Sequence, residues 1–365
     1  MSDILKIAII ADTHLGQYWR TYPTRAKKLI DTLKNNLIYI REYADVLFIL
    51  GDFYHSANLP PDCMSYIKDN IYDIFDKFSK VVLIVGNHEV FLDYANVQRS
   101  IPGMILSDKI KVFEQYGLSL FKIGKEKMLC DLISLPYNKD LEMYISNLEM
   151  YNIKDINKII KNNSVIFGHF TPKEIFERMK ISVEPLVNNI SNLNKIFLGD
   201  YHDPKSVKLN NCEIISVGST YYWDISDIYK KKEKRFIVFD TDNMSYESYK
   251  LNLPKVNYMK IDNENKDNFT IDNKNEIYFI TSSIPLDFTQ YILDGYDIYF
   301  NYLPDDKVSM IMEGVDIDTV SFVNVEDSWQ KYLQIQNVDS SIKDIANKIF
   351  IEREKLSSDF ILSIL

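Results

Sequence analysis

The chain lacks the features of a disulfide-stabilised or membrane-spanning protein. Its 365 residues include only three cysteines, and their spacing is not paired, which argues against a disulfide framework and favours a reducing compartment. No apolar run approaches the ~20 residues that a helix needs to cross a bilayer. The first residues contain no basic segment followed by a cleavable apolar one. We therefore expect a cytoplasmic location without membrane attachment.

Basic residues are also in the minority, since 42 Lys and Arg face 52 Asp and Glu for a formal net charge of −10. Proteins that hold DNA by themselves usually carry a basic face, so this balance favours a chain that depends on a partner for such a task. Two local clusters run against the trend. They are Arg20, Arg25, Lys27 and Lys28, and Lys230, Lys231, Lys232, Lys234 and Arg235. The second cluster is equally consistent with a solvated hairpin turn.

Histidine is scarce as well, and the five histidines present all lie beside Gly, Asp or Asn in short motifs. The motifs are Ala11-Asp12-Thr13-His14-Leu15-Gly16, Gly51-Asp52-Phe53-Tyr54-His55-Ser56, Gly86-Asn87-His88-Glu89, Gly168-His169 and Gly199-Asp200-Tyr201-His202. Imidazole is the commonest protein ligand for a transition metal. A chain that places every imidazole in this way is predicted to be built around one metal site.

A short apolar run precedes each of these motifs. The runs cover residues 7–10, 46–50, 81–85, 165–167 and 196–198. Their β-branched composition and bounding glycines predict strands of a sheet that is buried on both faces, and helices are predicted near 22–42 and 62–78. The motifs then follow the carboxyl ends of strands, where α/β sheets place their active sites. Glycine lets the backbone turn sharply there and approach an ion.

Each residue taken singly has an ordinary alternative interpretation. Asp12 and Asp52 could be helix caps, Asn87 could be a turn residue, and a lone His14 or His169 could be a hydrogen-bonded core residue. The order of the motifs, each behind a strand, favours the metal site over these alternatives.

In this order, the motifs resemble those of the calcineurin-like metallophosphoesterases. The first two motifs are more narrowly similar to those of the SbcD nucleases, the bacterial and phage relatives of the eukaryotic meiotic-recombination DNA-repair nuclease. The resemblance spans residues 11–203 and implies a four-layer α/β/β/α sandwich with a small α/β capping domain and a helical C-terminal tail. The implied boundaries are 1–253 for the nuclease domain, 254–325 for the capping domain and 326–365 for the tail.

The resemblance also implies a pair of metal ions. One ion would take Asp12, His14, Asp52 and His202, and the other Asp52, Asn87, His169 and Asp200. Two divalent ions about 3.5–4 Å apart can clamp the attacking and leaving oxygens of a phosphodiester. The mixture of imidazole, carboxylate and amide ligands suits Mn²⁺, with Mg²⁺ as the alternative. His88 and His55 would contact the phosphate, and His88 would stabilise or protonate the leaving oxygen.

The last motif departs from the family pattern, which usually reads Gly-His-x-His. Asp200 stands where the family has an imidazole. A carboxylate still binds a hard divalent ion, but it adds negative charge and should lower the Lewis acidity of that ion. We interpret Asp200 as a conservative change of ligand.

By resemblance, the function is that of a Mn²⁺-dependent DNA nuclease in repair and recombination, with 3′–5′ exonuclease activity on duplex DNA and endonuclease activity on single strands. The expected partners are DNA and an SbcC-type coiled-coil ATPase, with a homodimer of this chain forming a heterotetramer with the ATPase. The apolar stripes of the tail would dock on the ATPase. Two alternatives stay open. One is a phosphatase or cyclic-nucleotide phosphodiesterase with the same site, and the other is an architectural subunit whose site is impaired at Asp200.

Overall fold

The computed structural model describes residues 5–92, 98–100, 109–114, 117–123, 130–146, 153–223, 227–228, 233–266 and 268–302. These residues divide into two compact units. The first unit holds the described residues among Met1–Met259, Thr270–Ile280 and Asp287–Phe300, and the second those among Lys260–Phe269, Thr281–Leu286 and Asn301–Leu365. The boundaries expected after residues 253 and 325 stay predictions, and the expected tail lies outside the described residues.

The first of two six-stranded sheets contains the strands that precede the first three motifs. Its strands are β1 (Lys6–Ile10), β2 (Val46–Leu50), β3 (Lys80–Ile84), β6 (Ile110–Phe113), β13 (Arg235–Asp240) and β14 (Tyr246–Lys250). Their order is β14-β13-β1-β2-β3-β6, in which β1, β2, β3 and β6 are parallel and β13 and β14 antiparallel to their neighbours. Every residue of β2 is buried, as expected for a central strand covered on both faces. A separate hairpin pairs β4 (Val90–Leu92) with β5 (Gln98–Ser100).

The second six-stranded sheet carries the last two motifs. Its strands are β7 (Ser119–Phe121), β8 (Cys130–Leu135), β9 (Asn163–His169), β10 (Leu193–Gly199), β11 (Lys205–Leu209) and β12 (Cys212–Ser216). Their order is β11-β12-β10-β9-β8-β7. The four central strands are parallel, and the edge strands β7 and β11 are antiparallel to their neighbours. Both sheets are therefore mixed.

The two sheets face each other across a shared apolar layer. Because side chains alternate between the faces of a strand, Ile7 and Ile9 of β1 belong to this layer while Ala8 and Ile10 face the opposite way. The rings of Phe48 from the first sheet and Phe167 from the second meet edge to face, with their centroids 4.7 Å apart.

Helices cover the outer face of each sheet. The first sheet is covered by α1 (Pro23–Ile40), α2 (Pro61–Ile67), a π-helical segment (Lys68–Tyr72) and α3 (Asp73–Phe75), and the second by α4 (Leu141–Ser146), α5 (Ile153–Ile159) and α6 (Glu184–Asn189). In α1, Pro23 suits the first helical position because its fixed φ is already helical. The predicted α/β/β/α sandwich is confirmed. The helix predicted near 62–78 is present over residues 61–75, and the π-helical segment within it was not predicted.

A three-stranded sheet follows the sandwich in the chain. It consists of β15 (Val256–Ile261), β16 (Ile277–Ser282) and β17 (Asp297–Tyr302) in the order β15-β16-β17, with α7 (Thr289–Leu293) between the last two. Ile277, Phe279 and Tyr299 pack in one buried cluster with Leu29 of α1 and Trp223. Among the described helices, none combines the length and apolar character that a membrane crossing requires.

Candidate metal centre

The motifs converge because the carboxyl ends of β1, β2, β3, β9 and β10 meet at one edge of the sandwich. Asp12 and Asp52 follow β1 and β2 in the left-handed backbone region, with φ angles of 52° and 48°. That conformation costs about 1–3 kcal/mol in a non-glycine residue and persists only where the surroundings enforce it. Here hydrogen bonds tie the two turns together, since the Asp12 amide donates to the Gly51 carbonyl (3.2 Å) and the His14 amide to the Asp52 carbonyl (2.8 Å).

Two glycines make room for the side chains of the centre. A Cβ atom on Gly51 would lie 2.0 Å from Nδ1 of His169, and a Cβ atom on Gly86 would lie 2.2 Å from Oδ1 of Asp52. No side chain can be accommodated at such distances without moving the neighbouring group. Glycine at these two positions therefore lets the backbone approach the side chains of His169 and Asp52 closely.

Asp12, Asp52 and His169 form the buried interior of the centre. Their ligand atoms lie within 4.8 Å of one another, and His169 Nε2 is 3.5 Å from Asp52 Oδ1. The same Nε2 lies 2.8 Å from Asn87 Oδ1, while Nδ1 lies 2.8 Å from the carbonyl of Leu50. Both ring nitrogens thus face acceptor oxygens, and Nδ1 is oriented to donate to Leu50. Nε2 then faces the oxygens of Asn87 and Asp52, an arrangement that a second proton or a cation between them makes favourable.

The electrostatics of this interior also favour a cation. Burial acts to lower the pKa of His169, but Asp52, Asp12 and Asp200 together raise it well above the usual value. Burial raises the pKa of Asp12 well above its ordinary value, and the nearby Asp52 and Asp200 raise it further. For Asp52, burial is outweighed by His169 and His14, so its pKa is lowered. Carboxylates crowded into a buried space in this way fit divalent ions, which supply the missing positive charge.

A second group joins Asp12 to His14 and His202. The Nε2 atoms of the two histidines lie 3.2 Å apart, and the ligand atoms of all three residues lie within 4.8 Å of one another. Nδ1 of His14 is buried without a hydrogen-bond partner among the described residues. Two imidazole nitrogens that converge beside a carboxylate match the chemistry of a site for a divalent transition metal.

Asp200 lies on the side of Asn87 and His169. Its Oδ1 is 3.9 Å from His169 Nε2, and its Oδ2 accepts a hydrogen bond from the Thr171 hydroxyl at 2.5 Å. Its backbone amide donates to both carboxylate oxygens of Asp12, at 3.0 and 3.1 Å. Asp200 therefore lies beside the candidate ligands, and its role as a substituted ligand stays a prediction.

His88 and His55 lie beside this cluster. Nδ1 of His88 is 2.8 Å from the His55 carbonyl and is oriented to donate to it. The His88 amide donates to Asp52 Oδ1 at 3.0 Å. The His88 side chain is 39% exposed, and its Nε2 lies 3.9 Å from Asp52 Oδ2. The ligand atoms of His14, His55 and His88 also lie within 4.8 Å of one another, a spacing that would also allow them to hold a metal ion. The contact of His88 and His55 with phosphate therefore stays a prediction.

The structure brings all nine predicted site residues together, and it adds supporting residues that were not predicted. Glu89 is fully buried, and its carboxylate accepts hydrogen bonds from the amides of Gly86 (2.9 Å) and Tyr54 (3.0 Å). Burial raises its pKa to about 8. Its position inside the Gly-Asn-His-Glu motif was a usable signal. Thr171, Trp223 and Lys234 carried no such signal, because they stand outside the recognisable motifs.

The basic clusters are divided between the surface and the interior. Arg20 and Lys27 are exposed, but Arg25 is buried and forms an ion pair of 2.7 Å with Asp297. Lys234 is 1% exposed and pairs with Asp227 at 3.2 Å. The alternative of a solvated turn is therefore wrong for Lys234, while residues 229–232 lie outside the described residues.

A mixed-sheet sandwich whose strand ends gather carboxylates and imidazoles is consistent with the metallophosphoesterase fold. Residues 5–217 match the family described as calcineurin-like phosphoesterase, and the chain belongs to that family. The family uses a di-metal site, for which the candidate ligands are present. No curated protein matches the chain.

Two solved structures are similar in part. A dimetal phosphatase from Danio rerio has 13% sequence identity and a TM-score of 0.42, covering 68% of this chain and 99% of its own. The protein TT1561 of Thermus thermophilus has 8% identity and a TM-score of 0.40, covering 68% of this chain and 100% of its own. Likenesses this distant carry no argument about substrate.

Proposed function

We propose that the chain is a Mn²⁺-dependent DNA nuclease with 3′–5′ exonuclease activity on duplex DNA and endonuclease activity on single strands. The observation that carries the proposal is the additional structure beyond residues 5–217. Strands β15–β17 with α7 follow the matched region, and part of this sheet packs on α1 and on Trp223 next to the metal centre. A phosphatase for small substrates does not need such an addition, whereas a nuclease needs surface to hold a polymer.

The proposed chemistry assigns roles to the candidate residues. Bound divalent ions would polarise the phosphoryl oxygens and stabilise the charge that develops during hydrolysis. Asp12, His14 and His202 would hold one ion and Asn87, His169 and Asp200 the other, with Asp52 between them. His88 donates through Nδ1 to the carbonyl of His55, which leaves Nε2 to face the phosphate. From the doubly protonated ring, Nε2 would give its proton to the leaving oxygen while Nδ1 keeps its own. His55 is a second imidazole for the phosphate.

The proposed partner is a coiled-coil ATPase of the SbcC type. The net charge of −10 and the burial of Arg25 and Lys234 leave the chain with a weak electrostatic hold on DNA. We propose that a homodimer of this chain assembles with the ATPase into a heterotetramer, in which the ATPase would provide the additional DNA affinity. Residues 328–365 are the proposed docking segment.

The decisive experiment compares substrates for the purified chain with Mn²⁺. We expect degradation of end-labelled linear duplex DNA and nicking of circular single-stranded DNA, both abolished by Asp52→Asn. The small substrates are bis(p-nitrophenyl) phosphate as a diester and p-nitrophenyl phosphate as a monoester. Rapid monoester hydrolysis without DNA cleavage would establish the phosphatase alternative. Mn²⁺ binding without any hydrolysis would establish the architectural one.

Docking is tested by deleting residues 328–365. We expect loss of co-purification with the coiled-coil ATPase and loss of ATP-stimulated duplex cleavage. Cleavage of single-stranded DNA should survive, because all candidate ligands precede residue 203. Binding that persists after the deletion would contradict the docking role.

A further inference from the structure

Trp223 contacts the turn that carries the first two candidate ligands. Its indole Nε1–H donates a 3.0 Å hydrogen bond to the backbone carbonyl of Asp12. Its ring meets the imidazole of His14 edge to face, with centroids 5.4 Å apart and an interplanar angle of 80°. Trp223 is only 8% exposed, so both contacts are made in a nearly dry environment.

Lys234 makes the corresponding contact with the last motif. Its buried ammonium donates to the backbone carbonyl of His202 at 3.2 Å and to the Ser219 hydroxyl at 2.7 Å. Asp227 joins the two supports, because its Oδ2 accepts from the Trp223 amide at 3.0 Å and its Oδ1 pairs with Lys234 at 3.2 Å. Asp227 is 3% exposed.

From these contacts we infer that Trp223, Asp227 and Lys234 form a buried positioning network for the metal side built from Asp12, His14 and His202. The network supports both ends of this ligand set through the backbone carbonyls of Asp12 and His202. Its members do not contact the substrate, and they act through the ligands. The inference rests on the di-metal site of the family and is independent of whether the substrate is DNA.

The turn at residues 12–14 needs such support. Asp12 and His14 both have left-handed backbone angles, with φ of 52° and 43°, and would relax toward ordinary conformations if unsupported. Ligands held in advance of binding lose little conformational freedom when the ion arrives. Groups that orient ligands from behind typically change metal affinity 10- to 100-fold when they are removed.

The main test is Trp223→Phe, which keeps an aromatic ring against His14 and removes the N–H donor. Trp19→Phe is a matched control, because Trp19 is also 8% exposed and its Nε1 donates a 2.9 Å hydrogen bond to Asp62, a residue outside the candidate ligand set. Each variant thus loses one indole hydrogen bond. The measurements are Mn²⁺ binding by titration calorimetry without substrate, and thermal unfolding of the metal-free protein.

We expect Trp223→Phe to weaken Mn²⁺ binding about 10-fold or more, and Trp19→Phe to leave it within about two-fold. The melting temperatures of the two metal-free variants should fall by similar amounts. Equal Mn²⁺ affinities in the two variants would overturn the inference and leave Trp223 with a packing role alone.

A second variant tests the support of His202 by Lys234 and Asp227. It also tests the inference independently if Trp223→Phe does not fold. The double change Lys234→Met and Asp227→Leu removes the pair without leaving one buried charge uncompensated. It should weaken Mn²⁺ binding about 10-fold. In any assay of phosphodiester hydrolysis, the Mn²⁺ concentration for half-maximal rate should rise while the rate at saturating Mn²⁺ recovers. Unchanged Mn²⁺ affinity in this variant would contradict the network.

Discussion

The two sides of the metal centre are supported by different kinds of contact. On the side of Asn87, His169 and Asp200, the supporting groups come from strands and turns within the matched residues 5–217. The Leu50 carbonyl orients His169, and Thr171 holds Asp200. On the side of Asp12, His14 and His202, side chains beyond residue 217 complete the support, with Trp223 bonded to the Asp12 carbonyl and Lys234 to the His202 carbonyl.

This difference shows that one half of the centre is largely built within the sandwich, while the other also depends on the later part of the chain. Tyr221 links this support to the three-stranded sheet, because its ring packs against Trp223, with centroids 5.6 Å apart, and its hydroxyl donates to Asp297 of β17 at 2.5 Å. Substitutions after residue 217 should therefore weaken metal binding mainly on the Asp12 side, whereas substitutions at Asp52 should weaken metal binding on both sides.

The largest effect is expected at Asp52, the proposed bridge between the two sides. Its Oδ2 lies 3.9 Å from His14 Nε2 and its Oδ1 lies 3.5 Å from His169 Nε2. Asp52→Asn removes the bridging charge, so we expect loss of both Mn²⁺ ions and of all hydrolytic activity. Elemental analysis should find two Mn²⁺ per wild-type chain.

The control is Asp242→Asn, a change at an exposed aspartate, which should keep both ions. Retention of one tightly bound ion by Asp52→Asn would show that the two sides bind independently.

The next largest effect is on stability and concerns the buried ion pair between Arg25 and Asp297 of the three-stranded sheet. Arg25→Met leaves the fully buried Asp297 carboxylate without its ion partner, and breaking a buried pair in this way costs about 3–5 kcal/mol. Arg41→Met is a matched control, since Arg41 forms an exposed pair of 2.6 Å with Asp45, for which about 0–1 kcal/mol is expected. Urea denaturation measures the free energy of unfolding of both variants. Equal losses would mean that the buried pair adds no special stability.

A smaller effect is expected at His88, which we assign to the phosphate and not to either ion. His88→Ala should lower the rate of hydrolysis on the order of 10²-fold, as loss of a proton donor or an electrostatic contact does. Its Mn²⁺ content should stay near that of the wild type, as measured by elemental analysis alongside the rate. A variant that loses metal in proportion to activity would move His88 into the ligand set.

The smallest effect is expected from Asp200→His, which restores the usual family ligand on the Asn87 and His169 side. Because the wild-type carboxylate is already a competent ligand for a hard ion, activity should persist. Only the preference between Mn²⁺ and Mg²⁺ should change, modestly, in parallel titrations. An inert wild type that becomes active through Asp200→His would identify the natural chain as an architectural subunit.

Much of this centre could be predicted because its ligands are encoded locally. Apolar runs followed by Gly, Asp, Asn and His identify strand ends, and parallel strands bring their carboxyl ends to the same edge of a sheet. Asp12, Asp52 and Asn87 were predicted from this pattern together with the family resemblance. The π-helical segment was not predicted, because the apolar pattern of residues 62–78 does not distinguish it from a regular helix. Trp223 was not predicted either, since nothing around it in the sequence indicates which carbonyl it meets.

The sequence by itself determined the buried strands and the residue types that follow them, because both depend on apolar runs and motifs that extend over a few residues, and the resemblance of those motifs to a family implied the sandwich. Only the tertiary structure decided which distant groups support those ligands. Lys234 stands in a basic run that suggests a surface, yet it is buried against Asp227 and the His202 carbonyl. The burial of a charge depends on a partner brought close by folding, and no local pattern contains that information.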